Sequence, residues 1–417
     1  MSTPGAKTVA VIGAGIVGVS TGLWLQRAGH EVILIDRAGP AEGTSYGNAG
    51  VLASSAVVPL TTPGLIGKAP GMLLDPGSPL FLRWSYLPRL LPWLARYLSH
   101  CHAGGAERIA RALAPIIADS LEQHQALAEG TPAAKWIRPS DYLFVYASRA
   151  GYEADAFGWN LRRENGFAFE ELEAEALHAY DPLLGPEASF GVRLPHHGII
   201  TDPGRYVKDL AAHLEAEGGR VSLAEVRDIH CKGGRVTGVE TDKGAIACDA
   251  AVISAGAWSG PLARRLGLRV PMESERGYHV ELYGTNQAPR AASSIVAGKF
   301  VATPMEGRVR LAGIVEFGGL EAPPSRKPFR VLLKHIKRAM PALTWTETRE
   351  WMGHRPAPSD SIPLIGEVPG AKGAYLGFGH HHVGLTGGPK TGRILAGLIS
   401  GQRPNFDLAP YRPERFS

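Results

Sequence analysis

The sequence predicts an α/β protein built around an interrupted nucleotide-binding fold. Three observations lead to this fold class. The chain opens on a strand, glycine loop, helix and second strand. A long Pro-rich stretch then stands where further short βα repeats would be expected. Later glycine-rich loops between strands and helices resume the pattern, so the nucleotide fold is expected to be assembled from separate segments of the chain.

The first segment has the residue order of a dinucleotide-binding βαβ unit. An apolar strand at residues 9–12 enters the loop GAGIVG, and after a helix a second apolar strand at residues 32–35 leads to Asp36. The helix N-terminus would hold a pyrophosphate, and Asp36 would accept the ribose hydroxyls. A carboxylate repels a 2′-phosphate, which disfavours NADP. The fingerprint alone leaves FAD and NAD open.

The glycines of this loop have separate tasks. Gly13 permits the tight turn, Gly15 lets the backbone approach a pyrophosphate, and Gly18 allows the helix to pack closely on the sheet. Replacing Gly15→Val is therefore expected to block the pyrophosphate.

Composition limits the function classes. A chain of 417 residues with 44% hydrophobic content can form two domains. The net charge of +5 is modest and the arginines are scattered, which argues against nucleic acid as a partner. No signal segment or membrane-spanning apolar run is apparent, and Cys101, Cys231 and Cys248 lack metal or redox spacing. We therefore expect a cytoplasmic protein with reduced thiols.

After Asp36 the sequence departs from a nicotinamide dehydrogenase. The loop TSYGNAG, residues 44–50, has small residues that suit close approach of the backbone to a flat ring. Ser45 and Asn48 could bond the polar edge of such a ring. A glycine-rich surface loop is the alternative.

Two middle segments supply further parts of the nucleotide fold. A helix at residues 206–217 is followed by a strand into Val226. Strands at residues 236–241 and 245–253 then lead to SAGAW, where bare backbone would lie beside a cofactor. A simple helix-entry turn is the alternative for that last loop.

The C-terminal segment repeats the arrangement of strand, glycine loop and helix. The predicted strand is residues 374–378, the loop begins at Gly379 and the helix covers residues 391–400. His380, His381 and His382 lie in this loop. Adjacent histidines on a turn cannot all face one ion, so no metal site is predicted.

Taken together, the ordered motifs resemble the FAD-dependent D-amino-acid dehydrogenases, within the superfamily of D-amino-acid, glycine and sarcosine oxidases. The resemblance covers essentially the whole chain. The motifs that carry it are GAGIVG, TSYGNAG, DPGRYVKDL, VISAGAWSG, RGYHVEL, GHRPAPSDSIPLIG and GHHHVGLTGGPKTGR.

The resemblance implies an α/β plus α+β protein with two domains. A discontinuous Rossmann-like FAD-binding domain is expected from residues 1–60, 196–270 and 350–417. A substrate domain built on a large antiparallel sheet is expected from residues 61–195 and 271–349. FAD is expected to be non-covalent, because the 44–50 loop has no His or Cys to tether it. The residues expected to bind it are Gly13, Gly15, Ile16, Val17, Gly18, Asp36, Arg37, Thr44, Ser45, Asn48, Ala49, Gly50, Val226, Ala255, Gly256, Trp258, Gly379, His380, His382, Val383, Gly384, Leu385 and Thr386.

The resemblance also implies catalytic residues. Arg355 occupies the Arg-Pro position of the superfamily's carboxylate-binding arginine, and a charge-assisted bond suits that role. Tyr278 could bond the carboxylate and His279 could accept a proton, with core packing as the alternative for both. His381 departs from the family's Gly-His-Gly. A bulkier pocket edge there would favour a small or cyclic substrate, such as D-proline or a hydroxyproline.

One apolar helix leaves the partners open. Residues 88–98 place leucines on one face, with Arg89 and Arg96 flanking Trp93, which is typical of interfacial helices. The resemblance to membrane-associated dehydrogenases implies a peripheral contact at the inner face of the cell membrane and transfer of electrons to quinone or another non-oxygen acceptor. A helix that covers the substrate domain's core is the alternative.

The leading hypothesis is therefore an FAD-dependent dehydrogenase that oxidises a D-amino or imino acid to an imine by hydride transfer. An oxidase that uses oxygen and a flavin subunit of a hetero-oligomeric dehydrogenase are the alternatives, and the oligomeric state stays open. The interrupted fold disfavours a NAD-dependent dehydrogenase. A flavin hydroxylase is disfavoured because Gly379-His380 replaces the expected Gly-Asp.

Overall fold

The computed structural model describes residues 5–74 and 80–416, without the side chains of residues 68, 70 and 72–74. The strands are β1 (Thr8–Ile12), β2 (Glu31–Asp36), β3 (Val51–Leu52), β4 (Leu80–Leu82), β5 (Ile137–Tyr146), β6 (Glu170–Glu173), β7 (Phe190–Ile200), β8 (Arg220–Leu223), β9 (Val226–Lys232), β10 (Arg235–Thr241), β11 (Gly244–Ala247), β12 (Ala250–Ile253), β13 (Met272–Tyr283), β14 (Ala292–Ile295), β15 (Phe300–Met305), β16 (Arg308–Phe317), β17 (Glu347–Pro358), β18 (Leu364–Glu367) and β19 (Ala374–Phe378). The helices are α1 (Ile16–Arg27), α2 (Leu65–Leu74), α3 (Leu87–Leu98), α4 (Ala103–Ile117), α5 (Ser120–Ala128), α6 (Arg149–Glu153), α7 (Ala156–Glu164), α8 (Ala174–Tyr180), α9 (Pro203–Ala216), α10 (Ser259–Arg265), α11 (Arg326–Ala339) and α12 (Gly384–Ile399).

The first sheet is the predicted nucleotide fold. Its strand order is β18-β19-β12-β1-β2-β8, parallel from β19 to β8 and with β18 antiparallel at the edge. The strands are buried on both faces, as parallel sheets require. Val9 and Val11 of β1 join the apolar core that contains α1, α9 and α12, while Ala10 and Ile12 face the core shared with the small sheet β11-β10-β9. Strands that are far apart in the sequence, such as β1, β12 and β19, are therefore neighbours in this sheet.

The second large sheet forms the other half of the molecule. Its order is β17-β13-β16-β15-β14-β5-β7-β3, with β4 beside β16 and β6 beside β7. The pairings are antiparallel except β14 with β5 and β16 with β4. Helix α11 covers one face through Phe329, Leu332 and Ile336. The predicted fold class is confirmed, with a sheet that is mixed rather than wholly antiparallel.

Several predicted domain boundaries cut through elements of the second sheet. Strand β17 pairs with β13 along its full length, although residue 350 was expected to begin the FAD-binding part. Strand β3 and the last part of β7 were also expected in the FAD-binding part and belong to this sheet. The expected ranges also include residues 1–4, 75–79 and 417, which lie outside the described part of the chain. Strand pairing across long sequence distances thus puts these residues in the second sheet.

Two further expectations about elements need correction. The predicted strand 245–253 is two strands, because the chain leaves the small sheet after Ala247 and enters the nucleotide sheet at Ala250. Helices α4 and α5 were expected in the substrate domain. Their Ile109, Leu113 and Leu127 instead join the core that contains α1 and α12.

Much of the apolar face of helix α3 is buried inside the protein. Leu90, Trp93 and Tyr97 are buried with Ala357 of β17, and Trp93 Nε1 donates to the Ala357 carbonyl at 2.9 Å. Leu91 stays 52% exposed. In the described ranges, no helix is long and apolar enough to cross a bilayer.

A buried ion cluster lies on β13 and β16. Glu281 Oε1 accepts hydrogen bonds from Arg308 Nε at 2.5 Å and from Arg310 Nη2 at 2.7 Å. Arg308 Nη2 also donates to Asp202 Oδ2 at 3.2 Å, just before α9. Burial alone would raise the pKa of Glu281, but the attraction of Arg310 and Arg308 lowers it to about 2. The cluster therefore ties the second sheet to α9 of the first.

The same cluster holds the loop that follows β2. Arg310 Nη1 donates to the carbonyls of Tyr46 at 2.8 Å and Asn48 at 2.6 Å. Arg310 is fully buried, so these contacts are shielded from water. The loop predicted to approach a flat ring is thus fixed by an arginine of the other half of the molecule.

Replacing Arg310→Met should strongly destabilise the protein, because Glu281 would lose one of its two buried counter-ions. Breaking a buried ion pair costs about 3–5 kcal/mol. Arg338→Met is the matched control, since Arg338 and Glu187 form an exposed pair whose removal should cost at most about 1 kcal/mol. The free energy of unfolding from urea titration measures both, and equal losses would contradict the proposed importance of the cluster.

Glu281 should also make stability depend on pH in acid. Its folded pKa of about 2 lies below the unfolded value of about 4.3. Its stabilisation is therefore complete above the unfolded pKa and is lost as the pH falls through the folded pKa. We expect the urea midpoint of the wild-type protein to fall more steeply between roughly pH 5 and pH 2 than that of Arg310→Met. Parallel pH curves would argue against this origin of acid sensitivity.

Candidate functional site

A cavity of about 610 Å³ lies at the carboxyl ends of β1, β2, β12 and β19, where ligands bind in open α/β sheets. The predicted site residues that line it are Gly13, Gly15, Ile16, Val17, Asp36, Arg37, Thr44, Ser45, Asn48, Val226, Ala255, Gly256, Trp258, Gly379, His380, His381, Gly384 and Leu385. The predicted residues that do not line it are Gly18, Ala49, Gly50, Tyr278, His279, Arg355, His382, Val383 and Thr386. Stretches that are far apart in the sequence therefore meet at one cavity.

The glycine loop is shaped as the sequence predicts. Gly13 has φ +107°, and a Cβ there would lie 2.5 Å from the Ser254 carbonyl oxygen. A Cβ on Gly18 would lie 1.8 Å from the Gly13 carbonyl oxygen. A Cβ on Gly15 would meet only Ser45 Oγ, at 3.1 Å. Gly13 and Gly18 are thus required by the turn and by packing, whereas Gly15 keeps the cavity open.

Two helix N-termini reach the cavity. At α1, the Ile16 amide donates to Ser45 Oγ at 2.9 Å. The Val17 amide has no hydrogen-bond partner in the part of the chain that the structure describes. At α12, Gly384 and Leu385 line the cavity. Unpartnered first-turn amides and the helix dipole favour anionic groups, so the α1 end suits a pyrophosphate.

Asp36 organises the loops on either side of it. Its Oδ2 accepts from the Ala14 amide at 2.8 Å, and its Oδ1 accepts from the amides of Ala38 at 2.8 Å and Gly39 at 3.0 Å. A carboxylate has about four acceptor positions. The protein uses three of them, which leaves one position on Oδ2 for the predicted ribose hydroxyl.

Arg37 and Trp258 form one wall of the cavity. The Arg37 guanidinium lies 4.2 Å from the centre of the Trp258 ring, a cation–π contact. The His354 ring packs edge-on against Trp258 at 5.3 Å, and the His354 carbonyl accepts from Thr44 Oγ1 at 2.8 Å. Burial, with the nearby cations Arg276 and Arg37, lowers the pKa of His354 to about 4. This wall carries a fixed positive charge and a neutral imidazole.

The 44–50 loop is held by its own polar groups as well as by Arg310. Asn48 Oδ1 accepts from the Gly50 amide at 2.8 Å, which leaves the Asn48 side-chain amide as a donor. Gly50 has φ +77°, a conformation that favours glycine. A Cβ on Gly47 would overlap the Trp351 ring. Gly47 therefore permits a close approach between this loop and β17.

Beside the cavity, Glu275 joins two of the predicted catalytic residues. Glu275 Oε1 accepts from Arg355 Nη1 at 3.1 Å, and Glu275 Oε2 lies 2.6 Å from His381 Nε2. Arg355 also donates to the carbonyls of Ile314 at 3.1 Å and Gly313 at 3.4 Å. Burial would raise the pKa of Glu275, but the contact with His381 and the Arg355 cation lower it to about 2. The carboxylate is thus ionised while only 2% exposed.

His279 lies on the same face of β13 as Glu275. Its Nδ1 donates to the Gly47 carbonyl at 3.1 Å, and its ring stacks on Trp351 at 5.0 Å. Burial and the Arg310 cation lower the pKa of His279 to about 3. The ring is therefore neutral at pH 7 and positions the 44–50 loop, instead of taking up a proton as the sequence suggested.

Tyr278 packs in the core, which was the alternative given for it. Its hydroxyl donates to Glu316, and its ring packs edge-on against Phe329 at 5.0 Å, on the face of β13 covered by α11. Successive residues of a strand point to opposite faces, so Tyr278 and His279 could not both face the cavity. Both residues lie in the middle of β13.

The remaining loop histidines are neutral. His380 Nε2 bonds Thr391 Oγ1 at 2.9 Å, and burial lowers the pKa of His380 to about 4. Burial and the neighbouring His381 lower the pKa of His382 to about 3. The Thr386 carbonyl accepts from Ser120 Oγ at 2.8 Å, so this part of α12 contacts α5 rather than the cavity.

Glu275 and Trp351 were missed by sequence reasoning. Glu275 is an acidic residue in the buried part of strand β13. A buried charge needs a counter-ion or a hydrogen-bond donor, so its position indicates that such a partner exists. The identity of its partners depends on pairing with β17 and on the distant His381 loop. No local sequence pattern indicated the position of Trp351. Its ring occupies the space that side chains at Gly47 and Gly353 would fill.

Known proteins share the sequence and the fold of this chain. Residues 8–398 match the family described as DAO, FAD dependent oxidoreductase. The chain is 40% identical over 420 residues to a D-amino-acid oxidase of Bradyrhizobium diazoefficiens, covering 99% of this chain and all of the relative (100%). It is 30% identical over 420 residues to a D-amino acid dehydrogenase of Rhizorhabdus wittichii, covering 98% and 100%. The crystal structure of glycine oxidase from Geobacillus kaustophilus matches with a TM-score of 0.74 at 22% identity, covering 98% of each chain, which shows a shared fold.

Replacing Gly15→Val should lower the amount of bound flavin, because the new side chain would project into the cavity. The backbone of Gly15 has φ −75°, which valine can adopt, so the fold should persist. Gly104→Val is the matched control, since a Cβ at Gly104 meets nothing closer than 3.7 Å, on His102. Flavin absorbance per chain after purification measures the effect. Full occupancy in Gly15→Val would show that the pyrophosphate lies elsewhere.

Proposed function

The chain belongs to the DAO family of FAD-dependent oxidoreductases, and from this premise we propose that it oxidises D-amino acids to imines. The D-amino-acid names of its relatives support this substrate class. The observation that carries the proposal is the group formed by Arg355, Glu275 and His381 beside the cavity of the glycine loop. Cyclic imino acids such as D-proline and hydroxyproline are included in the proposed range.

The residues around the cavity fit FAD as the cofactor. Free amides at the start of α1 would hold its pyrophosphate, and Asp36 would accept a ribose hydroxyl. When bound, FAD supplies the ring that accepts a hydride from the substrate Cα. The N-terminus of α12 would favour the negative charge of a reduced ring. We propose that FAD is held without a covalent bond, because residues 44–50 contain no His or Cys.

Arg355 is proposed to bind the substrate carboxylate. Its Nη1 is used by Glu275 and the Ile314 carbonyl, while its Nε makes no hydrogen bond in the described part of the chain. The side chain is 20% exposed, so it is not closed off from a ligand. A planar guanidinium suits a carboxylate, and removal from water strengthens the bond.

The wall of the substrate space is proposed to favour compact substrates. Trp351 and His279 stack on each other, and Tyr46 packs against both rings at 5.9 Å and 6.1 Å. His381 adds an imidazole at the edge of the cavity. These rigid rings would leave more room for a small or cyclic side chain than for a long flexible one.

We propose that the electrons pass to quinone or another non-oxygen acceptor. The exposed apolar side chains Trp84 and Leu91, with Arg89 and Arg96 on the same helical segment, support a contact with an anionic membrane surface. Use of oxygen is the second candidate, favoured by the name of the 40% identical relative. Admitting air to reduced enzyme separates them, since an oxidase regains its flavin colour rapidly.

The anaerobic test of the proposal is loss of the oxidised flavin absorbance with a panel of amino acids. We expect bleaching by D-amino acids and cyclic imino acids but not by L-isomers. Bleaching by L-isomers alone would overturn the proposed substrate class. A flavin-loaded chain that no compound bleaches would instead favour a subunit that needs a partner.

Arg355→Ala should leave flavin bound but weaken the reaction with substrate. A charge-assisted hydrogen bond to the carboxylate contributes about 2 kcal/mol, so kcat/KM should fall by roughly 30-fold or more. Arg349→Ala on the same strand is the control, because Arg349 forms an exposed pair with Glu347. Unchanged steady-state kinetics in Arg355→Ala would remove the carboxylate role.

A further inference from the structure

His381 is held in an unusual conformation at the edge of the cavity. Its φ is +50°, a region that few residues other than glycine and asparagine adopt. Its amide donates to the Pro356 carbonyl at 2.9 Å, and its Nε2 lies 2.6 Å from Glu275 Oε2. The backbone and one ring nitrogen are thus both fixed by β13 and β17. Such strain is maintained where the surroundings over-determine it.

The other ring nitrogen of His381 has no partner. Nδ1 is buried, and it makes no hydrogen bond within the described ranges. Because Glu275 is ionised, Nε2 must carry the hydrogen that joins them. In the neutral ring Nδ1 is then an acceptor with a free lone pair. Nδ1 is a buried polar atom without a partner in a residue that lines the ligand cavity, so it is a candidate to bond a group that arrives with the ligand.

Charged and titratable groups of several elements surround His381. Glu275 on β13 is already balanced by the Arg355 cation on β17. His382 packs against His381 at 4.9 Å and is neutral at pH 7, since its pKa is about 3. Tyr97 of α3, whose pKa is raised well above the usual value by burial and by Glu275, is also neutral. The charges of Glu275 and Arg355 therefore balance each other beside the His381 ring.

We propose that His381 Nδ1 accepts a proton from the ammonium group of the bound amino or imino acid, with Glu275 as the positioning residue. In this step the N–H bond breaks, its electron pair stays on the substrate nitrogen, and the proton bonds to Nδ1. Glu275 fixes the tautomer and stabilises the imidazolium. The nitrogen lone pair would then be available to form the C=N bond as the hydride leaves Cα for the ring that bound FAD would supply. This role deepens the proposed function and rests on it.

The first test is the pH dependence of flavin reduction in rapid mixing without oxygen. His381→Asn suits the positive φ and removes the proton acceptor. At pH 7 its apparent rate constant should fall by about 100-fold, and it should recover as the pH approaches the ionisation range of the substrate ammonium. Glu275→Gln should shift the profile in the same direction. His230→Asn is the matched control, because His230 forms an exposed pair with Glu240 on the small sheet.

The second test measures binding rather than turnover. 2-Aminoisobutyrate has an ammonium group but no hydrogen on Cα, and pivalate has a methyl group in place of the ammonium. Changes in the flavin spectrum report the dissociation constants of both. His381→Asn should weaken 2-aminoisobutyrate by roughly tenfold or more at pH 7 and leave pivalate unchanged. Equal weakening of both ligands would mean that His381 only shapes the pocket.

The outcomes separate this proposal from the function on which it rests. If the wild-type flavin is not reduced by any D-amino or imino acid, the proposed function fails. If it is reduced, and His381→Asn keeps the wild-type pH profile, the proton-accepting role fails alone. Recovery of His381→Gly by added imidazole would support a proton acceptor at this place, and absence of recovery together with an unchanged profile would overturn it.

Discussion

The buried carboxylate of Glu281, shared between Arg308 and Arg310, is the interaction on which the candidate site depends. An ionised group in this position is tolerated only with close counter-ions. The Nη1 of Arg310 donates to the carbonyls of Tyr46 and Asn48. The loop after β2 is thereby fixed to the second sheet. The contacts of His279 with the Gly47 carbonyl and of Thr44 with the His354 carbonyl join the same loop to this sheet.

A second buried ion pair, between Glu275 and Arg355, lies at the other end of strand β13. Glu275, Gly277, His279 and Glu281 share one face of the strand, and each acidic residue is paired with an arginine of a neighbouring strand. The Arg355 guanidinium lies over Gly277. A Cβ at Gly277 would be 2.5 Å from Arg355 Cζ, so this position requires glycine. The face between the two ion groups is therefore flat and rigid. One strand supplies both the attachment of the loop and the setting of the predicted carboxylate anchor.

Local patterns in the sequence predicted the nucleotide half well and the second sheet less well. The GAGIVG turn, Asp36 and the C-terminal glycine loop carry short-range signals, since each depends on backbone geometry within a few residues. The joining of β17 to β13 and the pair of Glu275 with His381 connect residues far apart in sequence, so no local pattern encodes them. Tyr278 and His279 show the same limit. From the sequence, both residues looked equally suitable for the site. The orientation of β13 places their side chains on opposite faces of the sheet.

His380 and His381 line the cavity, and further histidines lie beside it. Burial and nearby arginines keep His279, His354, His380 and His382 neutral at pH 7, so these rings act as polar packing groups. Positive charge at the cavity comes instead from helix N-termini and from Arg37. An anionic cofactor and a carboxylate substrate would both need such charge. His381 differs from the other four because an ionised carboxylate holds its Nε2, and this contact gives one imidazole of the group the means to stabilise an added proton.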